Sequence, residues 1–477
     1  MTKAARSYAA KARWAPQQSD SNPNQVIRLG FNQDLWHDPL NYFVRLSRQS
    51  GDVIRMKLGT QEILFVNHPD PIRRIFRDNK ENYIKSKYYR KLMPLLGQGL
   101  FTTEGELWRQ QRTTTQASFR GRELRKMLGQ MAAATIDMLS QWEQFADDEQ
   151  EFDVSREATR LTLDVVLRTL FDVSLSEQDV CGFDKALTAL LLEAEKRIWS
   201  LNVLRPYMPT RSATQFRAAL KTLDSIVYRL IDQRMANMRG SRSLFDRLCV
   251  AARVRGWNRA SRKMLRDEVL SLIVAGHETT ANALAWTWHH LATAPDHDRT
   301  VYTEAQRVIG DSEITFESLQ QLDVTRRVFQ ESLRFYPPVW TFSRQALVDD
   351  TLGSVRVKSG DVVMICAYAM HRRGQFWEDP EVFDPARFKE AAIAKRNPFV
   401  YFPFGGGRRT CLGNRFAMME AQVVLALVAR RFRLQLVPGQ NVLPQAMVTI
   451  RPRDGIRVRL ERRPSHSRTR KPAQIAA

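Results

Sequence analysis

Apolar runs long enough to cross a bilayer are missing from this chain. Its 477 residues contain no stretch of about 18 consecutive apolar side chains, so no transmembrane anchor is expected. The first residues lack the apolar centre of a secretory signal. Cysteine is scarce: Cys181, Cys249, Cys366 and Cys411 stand far apart, with no CxxC pair, which leaves a zinc ribbon or a cysteine-ligated iron–sulfur cluster little support. That usage fits a reducing compartment, and a cytoplasmic location is expected. No glycine-serine or proline-rich linker divides the sequence either. One extended domain over residues 30–460 is expected, and 43% hydrophobic residues suffice for a large core.

Acidic residues are scarce at both ends. Lys3, Arg6, Lys11 and Arg13 precede the first acid, Asp20, while Arg462, Arg463, Arg468, Arg470 and Lys471 crowd the other end of a chain whose net charge is +22. Residues 1–29 and 461–477 read as disordered basic tails. The first stretch is also rich in alanine, as organellar transit peptides are, but lacks a clear apolar face. A third basic segment, residues 234–266, has Asp246 as its only acid. Runs of charge are usually solvated faces; a docking surface for an acidic protein or an anionic membrane is the next reading, and nucleic acid the last.

Helical patterns outnumber strand patterns. Residues 53–66 read as a hairpin, and short strands are expected near 355–366 and 432–460. Apolar periodicity predicts helices over 122–145, 156–172, 183–200, 213–238, 264–293, 299–309, 324–335 and 414–431. The fold class is therefore mainly α with small peripheral β-sheets.

Four constellations carry chemistry. In Phe404-Gly405-Gly406-Gly407-Arg408-Arg409-Thr410-Cys411-Leu412-Gly413, glycines allow close backbone approach to a flat ligand, and Arg408 and Arg409 favour the thiolate that binds a metal. Phe404 can shield the sulfur. A glycine-rich turn around an inert buried cysteine is the plainer alternative. Next, Ala275-Gly276-His277-Glu278-Thr279-Thr280 lies in the middle of a helix apolar on nearly all sides, where an acid is costly unless paired or neutral. A kink or helix cap is one explanation; a proton relay through Glu278 and Thr279 is the other. Third, Glu331 and Arg334 share a helix face, with Arg387 downstream between aromatics. Fourth, Trp108 and Arg112 stand four apart on another helical face.

These four motifs, in this order, resemble those of the cytochrome P-450 family of haem-thiolate monooxygenases over roughly residues 30–460. The cysteine pattern falls on Phe404, Gly407, Arg409, Cys411 and Gly413, and the oxygen-activation pattern on Ala275, Gly276, Glu278 and Thr279. The resemblance implies a single triangular-prism-like domain, with haem b buried between the long central helix and the helix after the cysteine loop. It implies Cys411 as the axial ligand of the iron; Trp108, Arg112, Arg344 and Arg409 beside the haem propionates; Glu278 and Thr279 in proton delivery; and a structural triad of Glu331, Arg334 and Arg387. Val339 and Trp340 are expected over the haem, with segments 95–103 and 198–208 lining an apolar substrate pocket.

The implied reaction inserts one oxygen atom from O₂ into an apolar molecule such as a fatty acid or terpenoid. Electrons would come from a separate ferredoxin or flavodoxin with its reductase, docking near Arg120, Arg122, Arg125 and Lys126. A peroxide-using hydroxylase or an isomerase is the alternative on this fold, disfavoured by the Glu278-Thr279 pair. A basic protein binding membrane surfaces or nucleic acid is the alternative of another class. It leaves Cys411 and its loop unexplained, so no nucleic-acid partner is expected.

Overall fold

In this computed structural model, residues 26–29, 35, 37–48, 51–58, 61–199, 211–238 and 243–464 are described. They form two units. The first takes residues up to 86 with 341–381 and 397–409, and the second takes 87–340, 382–396 and the residues from 410 onward. Each unit draws on three separate stretches, which is why no linker composition marks the division.

Strand-forming sequence concentrates in the first unit. Its six-stranded mixed sheet contains β1 (Val26–Leu29), β2 (Val53–Leu58), β3 (Gln61–Val66), β4 (Tyr83–Lys85), β5 (Thr341–Ala346) and β6 (Val362–Cys366), in the order β1-β2-β3-β6-β5-β4. The expected hairpin is present, with β2 and β3 antiparallel and Ile54 opposite Phe65. Ile63, Leu64, Phe65 and Val66 are all buried, as a continuous apolar run covered on both faces should be. Strand β1 pairs in parallel with β2, Val26 opposite Arg55. Residues 26–29, inside the stretch 1–29 expected to be a tail, thus form a strand, because a short β-forming run finds an open sheet edge; residues 1–25 lie outside the described residues.

The principal helices all belong to the second unit. They are α1 (Gly105–Gln116), α2 (Gly121–Asp147), α3 (Val154–Val166), α4 (Glu177–Trp199), α5 (Arg211–Ala236), α6 (Leu244–Val254), α7 (Arg259–Thr293), α8 (Pro295–Val308), α9 (Asp323–Phe335) and α10 (Asn414–Arg431). Helix α7 has 35 residues, hence a length of about 50 Å. It begins a turn earlier than its apolar pattern suggests. The Asn258 side chain accepts hydrogen bonds from the Ala260 and Ser261 amides, the Asn258 amide donates to Ser261 Oγ, and this reciprocal cap carries the helix into the basic run. Helix α6 was hidden in the same basic segment, although Ser243 and Asp246 make an equivalent cap at its start.

Helix α3 packs on the centre of α7. Thr162 Oγ1 donates to the His277 carbonyl at 3.0 Å, and a Cβ added at Gly276 would lie 3.0 Å from Val166 Cγ2. The Gly276 gap is therefore filled by α3.

A three-stranded sheet closes the second unit, with Phe432–Leu436 pairing Arg457–Arg462 and the latter pairing Phe152–Asp153. The sequence reading placed Arg462 and Arg463 in a disordered tail. Instead Arg462 pairs with Glu143 and Asp147, and Arg463 with Asp298, so distant carboxylates hold these cations in place.

Two buried histidines make the helical unit sensitive to acid. Burial pulls both His277 and His289 down to about 4 from the usual 6.5. Between these values the unfolded chain binds protons that the folded chain does not, so stability falls as pH drops from 6.5 toward 4. The slope should approach about 1.4 kcal/mol per pH unit for each histidine. Urea unfolding of wild type and His277→Leu at several pH values should show a shallower acid decline in the variant.

Candidate active site

Cys411 lies just before α10 in the helical unit, and its surroundings oppose one another. Burial pushes its thiol up, while the Gly413 amide hydrogen bond and the Arg112 guanidinium pull it down. The residue nevertheless keeps exposed surface. A sulfur crowded on most sides yet accessible on one matches what a ligand to a bound group requires. The nearby N-terminus of α10 adds a positive end of the helix dipole. Cys249 and Cys366 differ: both are buried, and burial pushes each to about 12.

Helix α1 brings Trp108 and Arg112 to this region. Trp108 is buried, and Arg112 Nη1 donates to the Thr410 carbonyl at 3.1 Å. Desolvation lowers the Arg112 pKa and the charge of Cys411 opposes that, so Arg112 is a cation that acts on the sulfur. The sequence reading gave this part to Arg408 and Arg409. Arg408 forms an ion pair with Glu81 within the sheet unit, a partner 327 residues away that spacing cannot reveal.

Phe404, Arg344 and Arg409 also belong to the sheet unit. Phe404 is half-buried, Arg344 is buried on β5 with its guanidinium 5.9 Å from the Phe76 ring centre, and Arg409 is half-buried in the turn Gly407–Arg409. The glycines before the cysteine pack against protein. A Cβ on Gly406 would come within 2.4 Å of the Phe76 ring, and one on Gly407, at φ +67°, within 1.8 Å of the Phe76 carbonyl oxygen. Glycine is required there by the approach of residues 74–78.

The middle of α7 opens on one side. Ala275 is exposed, and Val274, Gly276, Glu278 and Thr279 are partly so, whereas 269–273 and 280–288 are buried throughout. Thr279 Oγ1 donates to the Ala275 carbonyl at 2.7 Å. Its single proton is thereby engaged, and the oxygen is left as an acceptor. Glu278 Oε1 accepts from Thr449 Oγ1 at 2.7 Å, and Asn282 Nδ2 donates to that same Thr449 oxygen at 3.2 Å. Burial raises the Glu278 pKa; Thr449 and Arg451 lower it, and Asp184 raises it. Asp184 is itself raised by burial.

Thr449, Arg451 and Asp184 escaped the sequence reading, since they come from the hairpin strand Ile450–Pro452, its approach, and α4. Asn282 carried a usable signal, one turn after Glu278.

The expected pocket lining is redistributed. Trp340 is 1% exposed and donates through Nε1 to the Met447 carbonyl at 2.8 Å, so its ring is committed to packing while Val339 keeps some surface. Segment 95–103 is fastened to α7: the Gln98 amide donates to Asp267 Oδ2 at 2.9 Å and the Leu100 amide to Glu268 Oε2 at 3.2 Å. Most of segment 198–208 lies outside the described residues.

The triad residues meet in the helical unit. Glu331 and Arg334 are both fully buried, joined by two 2.7 Å hydrogen bonds, with Arg387 Nε 3.5 Å from Glu331 Oε1 and the Asp384 amide donating to that oxygen at 2.9 Å. On the outer surface, Arg120, Arg122, Arg125 and Lys126 are all exposed. Lys126 pairs with Glu123, and Arg125 lies near Glu317 and over the Phe316 ring. Much of the basic segment 234–266 is likewise neutralised: Arg234 pairs with Asp246 and Asp172, Arg262 with Asp232, Lys263 with Asp267 and Arg266 with Asp224.

Comparison with known proteins agrees with this geometry. The sequence profile of the family described as Cytochrome P450 matches residues 16–458. A protein described as cytochrome P450 132 from Mycobacterium bovis is 31% identical over 428 residues, covering 86% of this chain and 90% of that one. Cyclooctat-9-en-7-ol 5-monooxygenase from Streptomyces melanosporofaciens is 29% identical over 430 residues, covering 90% and 92%. Among solved structures, the cytochrome P450DA heme domain superposes with a TM-score of 0.82 at 25% identity, covering 93% of this chain and 98% of that one.

The triad generates a direct test. Removing one partner of a buried ion pair leaves an uncompensated charge and costs about 3–5 kcal/mol. Glu331→Ala should lower the unfolding free energy by that amount in urea titrations, whereas Glu123→Ala, at an exposed ion pair, should change it by about 1 kcal/mol or less.

Proposed function

The chain belongs to the cytochrome P450 family, and from that premise we propose that it hydroxylates an apolar small molecule of fatty-acid or terpenoid type. It is an oxidoreductase of the monooxygenase class. The observation that carries the site assignment is Cys411, the exposed cysteine that combines a backbone N–H, a neighbouring cation and a helix N-terminus. Its donor set fits haem b. Cys411 would hold the iron, Trp108 and Arg112 of the helical unit would bind propionate oxygens, and Arg344 and Arg409 of the sheet unit are the further propionate donors that the family pattern assigns. Haem, when bound, supplies the iron at which dioxygen is reduced and activated.

The protein's own contribution is proton management. Glu278 is a half-buried carboxyl whose desolvation raises its pKa and favours holding a proton, with Thr449 fixing Oε1 and leaving Oε2 as the exchanging oxygen. Thr279 acts as an acceptor while its hydroxyl proton is donated to the Ala275 carbonyl, and becomes a donor to another group by rotating away from that carbonyl. An acid and a hydroxyl placed side by side on the open strip favour O₂-dependent hydroxylation over a peroxide-using or isomerising reaction. Similarity to a cyclooctat-9-en-7-ol 5-monooxygenase supports a terpenoid-like substrate. The four cysteines, all free, support a cytoplasmic setting.

Electrons come from a separate acidic ferredoxin or flavodoxin, guided by Arg120 and Arg122, whose charges form no ion pair among the described residues. Reversing both to Glu should slow reduction by the protein donor several-fold at low salt and leave dithionite reduction unchanged. Equal slowing by both reductants places the effect inside the protein.

Ligand and relay are tested together. The long-wavelength absorption of the ferrous CO complex should disappear in Cys411→His; its persistence in Cys411→Ala makes another cysteine the ligand. Thr279→Ala should keep that band but divert electrons from product to hydrogen peroxide, with product formation falling on the order of 10² or more. Unchanged coupling in both Thr279→Ala and Glu278→Gln removes the pair from the mechanism.

A further inference from the structure

Residues 253–260, spanning the end of α6 and the first turn of α7, are exposed without interruption. Val254 is 82% exposed and Trp257 44%, and Val250, one turn earlier on α6, is 39% exposed. Single exposed apolar residues are ordinary, but three this close on a helix end and the turn that follows form a patch. Gly256, at φ +82°, ends α6 there and turns the chain outward into this run.

Cations alternate with the apolar groups. Arg253 donates to the Met235 carbonyl at 3.0 Å, and Arg255 to Met264 Sδ at 2.9 Å and Gln110 Oε1 at 3.4 Å. Among the described residues, neither these two nor Arg259 forms an ion pair, in contrast to Arg262, Lys263 and Arg266 a turn further on. No acidic residue occurs from 247 to 266. The basic segment thus divides into a portion neutralised by the fold and a portion left charged, and the charged portion bears the valine and tryptophan.

We propose that this turn seats the protein on an anionic lipid surface, with Val254 and Trp257 entering the headgroup boundary and Arg253, Arg255 and Arg259 facing the lipid phosphates and carboxylates. The chemistry favours lipid over an acidic protein. Indole prefers the membrane–water boundary, and arginine stems can lie along apolar surface while their heads remain in the polar layer. A small acidic donor presents carboxylates that answer the arginines but nothing that answers an almost fully exposed valine. No described helix is long and apolar enough to cross a membrane, so the attachment is peripheral. It is independent of the proposed catalytic chemistry.

The full chain would be sedimented with phosphatidylcholine vesicles, with and without phosphatidylserine. Each cation near an anionic surface contributes a factor of about five, so Arg253→Gln/Arg255→Gln/Arg259→Gln should weaken binding to the phosphatidylserine vesicles on the order of 100-fold. Val254→Ser/Trp257→Ser retains every charge and should also weaken binding, which separates the turn from attraction by the basic ends of the chain. Brominated lipid in the same vesicles should quench wild-type tryptophan fluorescence and quench Trp257→Phe clearly less. Vesicle binding unchanged in both multiple variants overturns the proposal, as does equal quenching of wild type and Trp257→Phe. If the arginine variant loses affinity for an acidic ferredoxin but not for vesicles, the face belongs to a protein and the lipid assignment fails.

Discussion

A carboxylate with no exposure must be answered on every side, and Glu331 is answered by α9 itself and by the segment 382–388. Arg334 supplies two hydrogen bonds from one turn away, the Asp384 amide supplies a third, and Arg387 stands beside the same oxygen. That segment has little regular structure beyond the short turn Pro385–Phe388. Its neighbours in sequence, 341–381 and 397–409, both belong to the sheet unit. A stretch flanked in this way stays with the helices because breaking its contacts would strand a buried charge, at a cost of several kcal/mol. Arg334 also donates to the Val382 carbonyl, so its anchoring begins at the first residue of the stretch.

The same economy governs the centre of α7. A helix buried on nearly every side can carry an acid only if something satisfies it, and Thr449, itself oriented by Asn282, does so for one oxygen. Arg451 and Asp184 then act in opposite directions on the proton affinity of Glu278. Thr279 is satisfied within its own helix, through Ala275. The two side chains are adjacent in sequence but answer to different parts of the protein, so perturbing the hairpin at Thr449 acts on Glu278 without directly touching Thr279.

What the sequence made legible was local. Spacings of three and four residues placed Glu331 with Arg334 and Trp108 with Arg112, two consecutive β-forming runs located the β2–β3 hairpin, and periodicity found most of the long helices. Helix α6 lies in a segment whose dense positive charge masks its apolar period, although its cap at Ser243 and Asp246 is local. The partners of Glu278 and Arg408 lie 171 and 327 residues away, where no periodicity reaches. The glycines show the limit differently. Their need for close approach was legible, but Phe76, the group that approaches Gly406 and Gly407, was not.

Charge gives the sharpest form of that limit. The net charge of +22 is what remains after every acid is counted, and the fold decides which cations the acids neutralise. Arg234 is held by Asp172 and Asp246, Arg266 by Asp224 and Asp267, Arg462 by Glu143 and Asp147, and each carboxylate that closes a pair removes a cation from any external partner. A paired arginine presents a dipole that salt and distance attenuate quickly; an unpaired one presents a full charge. The cations that can act on another molecule are therefore those the fold declined to neutralise, and their positions follow from where the acids are absent. Residues 247–266 contain no acid, and at 253–260 the chain also leaves its apolar side chains outside. Exposed valine and arginines without an ion pair among the described residues coincide there because the same short turn escapes both burial and charge pairing.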